Sequence, residues 1–142
     1  CGSLCRMCAL CPTASTRQPV TKHKCYRTGK EWNITSPMDC NTMNCIYKII
    51  CKRDQCKDFV YIGETQREVK KRLYDHVSYV NNKRLETPAG QHFNLPGHNV
   101  ADMALIPIER VRPANNPFVR KVRESLWIWR YDSINFGENK KR

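Results

Sequence analysis

Residues 45–63 read CIYKIICKRDQCKDFVYIG, and this stretch indicates the fold of the chain more clearly than any other. Within it, residues 46–50 and 59–63 are rich in β-branched and aromatic side chains, which is typical of β-strands. The residues between the two runs are few enough for a hairpin connection. The sequence therefore predicts a pair of neighbouring strands that bring Tyr47 and Tyr61 to one face or to neighbouring edges of a sheet.

A helix is predicted directly after this hairpin. Thr65 is of a type that caps helices, and Glu68 follows it at the spacing of a capping box. Apolar residues then recur at steps of four, four and three, which places them on one helix face. These residues are Val69, Leu73, Val77 and Val80. We expect this face to pack in the core.

The later part of the chain predicts a third strand and a second helix. Met103-Ala104-Leu105-Ile106 is the candidate strand, and Pro107 favours an edge position because proline has no N–H to donate. Asn116 before Pro117 is a good helix start. The apolar residues expected to face the core from this helix are Phe118, Val122, Leu126 and Trp129. The fold class predicted for residues 45–142 is α/β, a small domain with a central, mostly antiparallel three-stranded sheet flanked by helices.

Residues 1–44 have a different character, with six of the nine cysteines and few large apolar groups. A segment of this kind cannot build a core of its own, so we expect it to need metal to fold. The step from Cys5 to Cys8 lets two thiolates reach one zinc ion. An odd number of cysteines cannot pair completely within the chain, although the sequon Asn33-Ile34-Thr35 keeps a secreted disulfide-bonded protein as an alternative. We predict a Cys-rich zinc-binding segment in a reducing compartment.

The composition is that of a folded, basic protein. The 142 residues include 25 Lys+Arg and 13 Asp+Glu, which gives a formal charge of +12, and 40% of them are hydrophobic. This balance excludes a disordered chain and favours an anionic partner, with nucleic acid as the first candidate. No apolar run approaches the roughly 20 residues that span a bilayer, so neither a membrane helix nor a membrane partner is predicted.

Several polar residues have no obvious place in the core. Tyr47 and Tyr61 lie on the paired strands, Arg72 and His76 are four residues apart on the first helix, and Glu124 stands in a basic stretch of the second. Each residue alone has an ordinary explanation in packing or in a solvated surface. Together, two phenols, a guanidinium, an imidazole and a carboxylate are sufficient for metal-assisted cleavage of a phosphodiester.

The order of these residues resembles the GIY-YIG nuclease family. The resemblance is carried by Cys45-Ile46-Tyr47, Tyr61-Ile62-Gly63, Arg72, His76, Glu124 and Asn139. More narrowly, the chain is similar to the endonuclease domain of Penelope-like retroelements. The narrower likeness is carried by Cys51, Cys56, His92-Phe93-Asn94-Leu95-Pro96-Gly97-His98, Arg123-Glu124-Ser125-Leu126-Trp127-Ile128, Thr28-Gly29-Lys30 and Cys40.

The chain departs from the family pattern at two positions. Cys45 stands where the family signature has its first glycine, which alters the entry to the strand and leaves Tyr47 in place. Glu64 stands where some relatives carry a lysine shortly after the second signature tyrosine. A supporting proton or charge role of that lysine is therefore missing, whereas the expected fold is unaffected.

The resemblance implies a metal-dependent hydrolysis of DNA. Glu124 would be the protein ligand of one Mg²⁺ or Mn²⁺ ion, a hard cation that keeps several waters. Tyr47 would be the general base for the attacking water, helped by the positive charge of Arg72. Tyr61 and His76 would position water or phosphate, with His76 as an alternative base. Asn139 would brace the site or the C-terminal segment.

The resemblance also implies one structural zinc site, and the N-terminal cysteines suggest a second. Zinc 1 would be held by Cys51, Cys56, His92 and His98, and the alternative is that His76 replaces His98. Zinc 2 would be held by Cys1, Cys5, Cys8 and Cys40, with Cys11 and Cys25 as alternates. Closed zinc sites of this kind hold loops together, so the catalytic ion must be a different one.

Basic residues near the expected catalytic face are candidates for phosphate contacts with little sequence preference. They are Arg67, Lys70, Lys71, Arg120, Lys121 and Arg123. The predicted function is nicking of DNA to give a primer end to a reverse transcriptase, expected as a domain of the same polypeptide together with its RNA, in the nucleus. The alternative is a zinc-stabilised DNA- or RNA-binding module without cleavage.

Overall fold

The computed structural model describes residues 22–34, 36, 38–133 and 139. The helices and strands of these residues are, in chain order, β1 (Lys22–Lys24), β2 (Glu31–Asn33), β3 (Cys45–Cys51), β4 (Val60–Thr65), α1 (Val69–Asn81), α2 (Pro88–His92), β5 (Met103–Arg110) and α3 (Pro117–Tyr131). Single turns of 3-10 helix lie at Asp54–Cys56 and Val100–Asp102. No helix in this part of the chain has the length and apolar character to cross a bilayer.

The central sheet has three antiparallel strands in the order β4-β3-β5, as the sequence predicts. Tyr47 lies opposite Gly63, and Ile49 lies opposite Tyr61. Since opposite residues share a face and positions two apart on a strand do so too, both signature tyrosines face the same side of the sheet. β5 is an edge strand, as Pro107 predicted, and its register with β3 shifts between Ile46 and Tyr47.

The two faces of the sheet carry separate clusters of buried residues because successive side chains of β3 point to opposite sides. One cluster combines the sheet with α1 and α2 and includes Tyr47, Ile49, Leu73, Val77 and Phe93. The other combines the sheet with α3 and includes Ile46, Ile62, Ile108, Trp127 and Ile128. The central strand β3 is therefore packed on both of its faces.

The predicted start of α1 is wrong, whereas its predicted buried face is confirmed. Thr65 is still paired with Cys45 in the sheet, and its Oγ1 accepts a hydrogen bond from the backbone N–H of Arg67 at 3.1 Å. The helix begins at Val69 with Glu68 as its N-cap residue, and no capping box forms. Thr65, the residue expected to cap the helix, is therefore still part of β4. The buried apolar residues are those predicted, namely Val69, Leu73, Val77 and Val80.

The predicted start of α3 is confirmed, whereas its predicted core face is wrong. Asn116 caps the helix by accepting a hydrogen bond from the N–H of Val119 at 3.1 Å. Phe118, Val122 and Trp129 are 75%, 50% and 77% exposed. The buried residues are Arg120, Glu124, Trp127, Ile128 and Tyr131. Charged side chains are rarely buried unless they are paired. Polar partners on the sheet therefore allow the face of α3 that carries Arg120 and Glu124 to pack inward.

A two-stranded hairpin, β1–β2, packs on the end of α3. His23 and Trp32 contact the rings of Trp127 and Tyr131, with centroid distances of 4.8–5.9 Å. The hydroxyl of Tyr131 lies 2.6 Å from Nδ1 of His23. The β1–β2 part of the Cys-rich segment therefore joins the second core cluster through Cys25 and Trp32, whereas Cys40 packs in the first.

Candidate active site

The centre of the candidate site is the hydroxyl of Tyr47, on the central strand. Tyr47 is fully buried. Arg72 donates a hydrogen bond from Nε to the Tyr47 oxygen at 3.0 Å, and Nε2 of His76 lies 2.8 Å from the same oxygen. One turn of α1 separates Arg72 from His76, so a single helix face delivers both groups. Asp75 holds the guanidinium from the other side at 3.3 Å.

Burial controls the protonation of these groups. Desolvation, assisted by the charge of Arg72, lowers the pKa of His76 to about 3, so the imidazole is neutral. Desolvation raises the pKa of Tyr47 far above its ordinary value, although the nearby Arg72 acts in the opposite direction. Because a guanidinium only donates, the phenol oxygen accepts from Arg72, and its second partner is Nε2 of His76. The site thus holds a neutral phenol that is hydrogen-bonded to a neutral imidazole.

Gly63 makes room for the Tyr47 hydroxyl. A Cβ atom at this position would lie 2.4 Å from both Cζ and Oη of Tyr47, a separation that real contacts do not reach. The sheet register places the glycine directly opposite the tyrosine. Sequence reasoning included Gly63 in the motif but assigned it no role, because its role depends on a neighbour in another strand.

Tyr61 lies on β4 near His76, and Asn139 binds the backbone of the next residue of this strand. The ring centroid of Tyr61 lies 6.1 Å from that of His76, and its side chain is half-buried. Asn139 accepts from the N–H of Ile62 and donates to its carbonyl, each at 2.9 Å, and also accepts from Oγ of Ser133 at 2.7 Å. The C-terminal segment is thereby tied to the strand residue next to Tyr61.

Glu124 is buried on α3, and its charge is the smallest of the influences on the pKa of the Tyr47 phenol, which it raises. Two anchors hold α3 in this position. Arg120, one turn before Glu124, donates to Glu64 at 2.7 Å. The second anchor is Glu109 of β5. Its carboxylate accepts two hydrogen bonds from Arg123 and one from Trp127, each of 2.7 Å.

Cys51, Cys56, His92 and His98 lie together at the far end of β3. Their candidate ligand atoms all lie within 4.8 Å of one another. Ligands of a tetrahedral zinc are about 3.3–3.8 Å apart, and Sγ of Cys56 lies 3.3 Å from Nε2 of His98. Nε2 of His92 is buried without a hydrogen-bond partner among the described residues, as expected of an atom that ligates an ion. The cluster can bind zinc, and His76 is not part of it.

Comparison with known proteins identifies the chain. The GIY-YIG catalytic domain family matches residues 43–135, about two thirds of the sequence. This chain belongs to the GIY-YIG family. No curated protein and no solved structure matches it. Membership in a nuclease family that uses divalent metals indicates an endonuclease with DNA as its substrate.

The basic residues predicted to contact DNA in this GIY-YIG domain all have acidic partners. Asp75 pairs with Arg67, and Glu68 lies 3.4 and 3.7 Å from the amino groups of Lys70 and Lys71. The other pairs are Arg120 and Lys121 with Glu64, and Arg123 with Glu109. Arg120 is buried and also donates to Asn44, so its prediction as a direct phosphate contact is wrong. Its position on the core face makes it a structural anchor.

Glu64 therefore has a role that sequence reasoning missed. Burial alone would favour the protonated carboxyl, but hydrogen bonds from Arg120 and Lys121 hold the pKa of Glu64 below its ordinary value. The signal present in the sequence was the acid at position 64, where the resemblance implies a lysine in some relatives. An arginine on α3, Arg120, pairs with this acid.

The ligand set of the second zinc site mostly lies outside the described residues. Cys1, Cys5, Cys8 and Cys11 belong to the part of the chain that the structure does not describe. Cys40 is disulfide-bonded, and a sulfur in that state is not a thiolate ligand. Cys25 is a free thiol buried in the α3-side cluster. Among the described residues, neither cysteine belongs to a group of three or more candidate ligands.

Proposed function

We propose that this GIY-YIG domain is a metal-dependent endonuclease that nicks DNA by in-line hydrolysis of a phosphodiester bond. The observation that carries the proposal is the hydroxyl of Tyr47, which lies between the guanidinium of Arg72 and the neutral imidazole of His76. The buried carboxylate of Glu124, whose charge acts on this phenol, supports it. A hydroxyl held in this way can move a proton at a fixed point, and the carboxylate can hold a metal ion.

The catalytic ion would be held by Glu124. A single buried carboxylate is a hard oxygen ligand, and Mg²⁺ characteristically combines one or two carboxylates with several waters and the phosphate oxygens of its substrate. The described residues contain no cluster of acidic side chains that would supply a larger all-protein cage. When bound, the ion would polarise the scissile phosphate and neutralise charge on it.

Tyr47 and His76 act in series in the proposed reaction. The Tyr47 oxygen takes the proton of the attacking water while its own proton moves to Nε2 of His76. This transfer avoids a free phenolate, which is unfavourable because burial raises the pKa of the phenol. Burial and Arg72 lower the pKa of His76 to about 3, so the imidazole holds the transferred proton only transiently. Arg72 stabilises negative charge on the phenol oxygen and on the phosphate. Tyr61 and Arg72 are only partly buried, so water and DNA approach the enclosed phenol from their side.

Nicking of a supercoiled plasmid with Mg²⁺ or Mn²⁺ tests this function. Glu124→Gln and Tyr47→Phe are each expected to lower the rate at least about 100-fold, because each removes a group that acts on the reacting atoms. Tyr74→Phe is the matched control, since Tyr74 lies on α1 with 63% of its surface exposed. Wild-type rates in both site variants would contradict the proposal, provided that zinc content is unchanged.

A zinc-stabilised DNA- or RNA-binding module without cleavage is the second candidate. The complete burial of the Tyr47 side chain favours it, because a base that meets no solvent has no direct access to a nucleophilic water. In that case the wild type and Glu124→Gln bind nucleic acid equally, with a steep salt dependence, and neither one nicks the plasmid.

The finer proposal is that the nick primes reverse transcription in a Penelope-like retroelement. It is supported by the residues of the narrower resemblance, including the Cys51, Cys56, His92 and His98 cluster. The partners would be a reverse transcriptase domain of the same polypeptide and its RNA, and the site of action would be the nucleus. The nicked plasmid should then carry a 3′-hydroxyl that a polymerase extends without further processing.

A further inference from the structure

Two basic side chains near β1–β2 differ from those near the candidate site in their lack of a carboxylate partner among the described residues. The basic side chains predicted to bind DNA are all paired with carboxylates. Lys30 of the β1–β2 hairpin and Arg130 of α3 have no carboxylate oxygen within 4.0 Å among the described residues. Their charges are therefore open to an anionic ligand.

A groove of about 580 Å³ brings these two cations together with aromatic rings. Its lining consists of Lys30, Trp32, Trp129, Arg130 and Asp132. Trp129 is 77% exposed, and the guanidinium of Arg130 lies 4.7 Å from the ring centre of the neighbouring Trp127. The charge of Asp132 is opposed by Arg27 at 4.0 Å. The groove, which we call the hairpin groove, is consequently positive overall.

We infer that the hairpin groove binds single-stranded DNA, with an unpaired base stacked on Trp129 and phosphates at Lys30 and Arg130. An exposed indole provides a face on which any base can stack, and adjacent cations follow the backbone of a single strand. The two cations in the groove argue against an apolar protein segment as the occupant. The inference rests on the proposed function only in taking nucleic acid as the partner. A nuclease that nicks a duplex meets unpaired nucleotides at a frayed end or at the nick.

Fluorescence anisotropy of labelled dT12, measured with the zinc-loaded Glu124→Gln chain without added Mg²⁺ or Mn²⁺, tests this inference without cleavage. Trp129→Ala is expected to weaken binding roughly 5- to 150-fold, the range for removal of one base-aromatic stack. Phe118→Ala is the matched control, because Phe118 is 75% exposed on the same helix but does not line the groove. Its binding should change less than twofold, and Trp129→Phe should restore part of the affinity.

The salt dependence gives a second readout. Substitution of Lys30 or Arg130 with Gln should reduce the slope of log Kd against log salt by about 0.7 for each phosphate that is no longer neutralised. Equal binding by Trp129→Ala and the parent, an equally large effect of Phe118→Ala, or no binding of dT12 at low salt would overturn the inference. A duplex that binds equally tightly with the same sensitivity to Trp129 would overturn it as well.

This test separates the inference from the nuclease proposal. Binding of dT12 that depends on Trp129, in a chain whose wild type never nicks plasmid, leaves the inference standing and removes the nuclease function. Nicking that depends on Glu124, together with normal dT12 binding by Trp129→Ala, removes the inference alone.

Discussion

At the scale of single residues, Tyr47 is set apart from an ordinary core tyrosine by its two polar neighbours. Arg72 and His76 both reach its hydroxyl, and neither is separated from it by water. The sequence predicted that these residues share a site, since the four-residue step on α1 is a local pattern. It did not predict that the phenol is enclosed, nor that Tyr47 and His76 are hydrogen-bonded to each other.

Gly63 provides the residue-scale prediction. In Gly63→Ala, the new methyl group would meet the Tyr47 ring and hydroxyl at 2.4 Å, so Tyr47 must move. We expect plasmid nicking to fall at least about 100-fold, because misplacement of a catalytic group by about 1 Å costs that much. Zinc content and far-UV circular dichroism serve as controls for folding. A variant that folds and nicks at the wild-type rate would show that the position of the hydroxyl is not critical.

At the scale of elements, the orientation of α3 depends on buried ion pairs. Its apolar repeat through Phe118 and Val122 faces solvent, whereas Arg120 and Glu124 face inward. Hydrophobic periodicity fails here because it counts only apolar residues, and a paired arginine can occupy a core position. The partner of Arg120 is Glu64, which lies 56 residues away in the sequence. No local pattern could have indicated this pair.

Substitution of Glu64 tests the anchoring of α3. Glu64→Gln leaves the buried guanidinium of Arg120 without its counter-charge, so the free energy of unfolding in urea should fall by about 3 kcal/mol. Nicking should fall too, since Glu124 lies one turn further along the helix. Glu68→Gln is the control, because its lysine partners are about half exposed and such a pair contributes less than about 1 kcal/mol. Similar destabilisation of the two variants would argue against a special role for Glu64.

At the scale of the whole molecule, the Cys51–Cys56–His92–His98 cluster joins the β3–β4 connection to α2 and the loop that follows it. Arg53 strengthens the same junction through a salt bridge to Asp102 at 3.0 Å. A closed zinc site here would hold together segments that are far apart in the sequence. We therefore expect the ion to stabilise the fold and to take no part in hydrolysis.

Metal analysis provides the prediction at this scale. The purified chain should contain at least one zinc per molecule, and Cys56→Ser should contain one fewer, with a lower Tm. Cys45→Ala is the control, since Cys45 is buried outside the cluster and forms no disulfide, so its substitution should leave zinc content unchanged. Less than one zinc in the wild type, or equal zinc in wild type and Cys56→Ser, would contradict the assignment of these ligands.

The family resemblance supplied the set of four zinc-type ligands. Local patterns in the amino-acid sequence were sufficient to predict the strand pair at residues 45–63, the buried face of α1 and the edge position of β5. These features depend on periodicity, on turn chemistry and on residue types with few alternative uses. Tertiary packing, in contrast, determines how deeply Tyr47 is buried, why position 63 has no side chain, and which face of α3 packs inward. Each of these depends on contacts between residues distant in the sequence, where ion pairing and steric fit outweigh local preference.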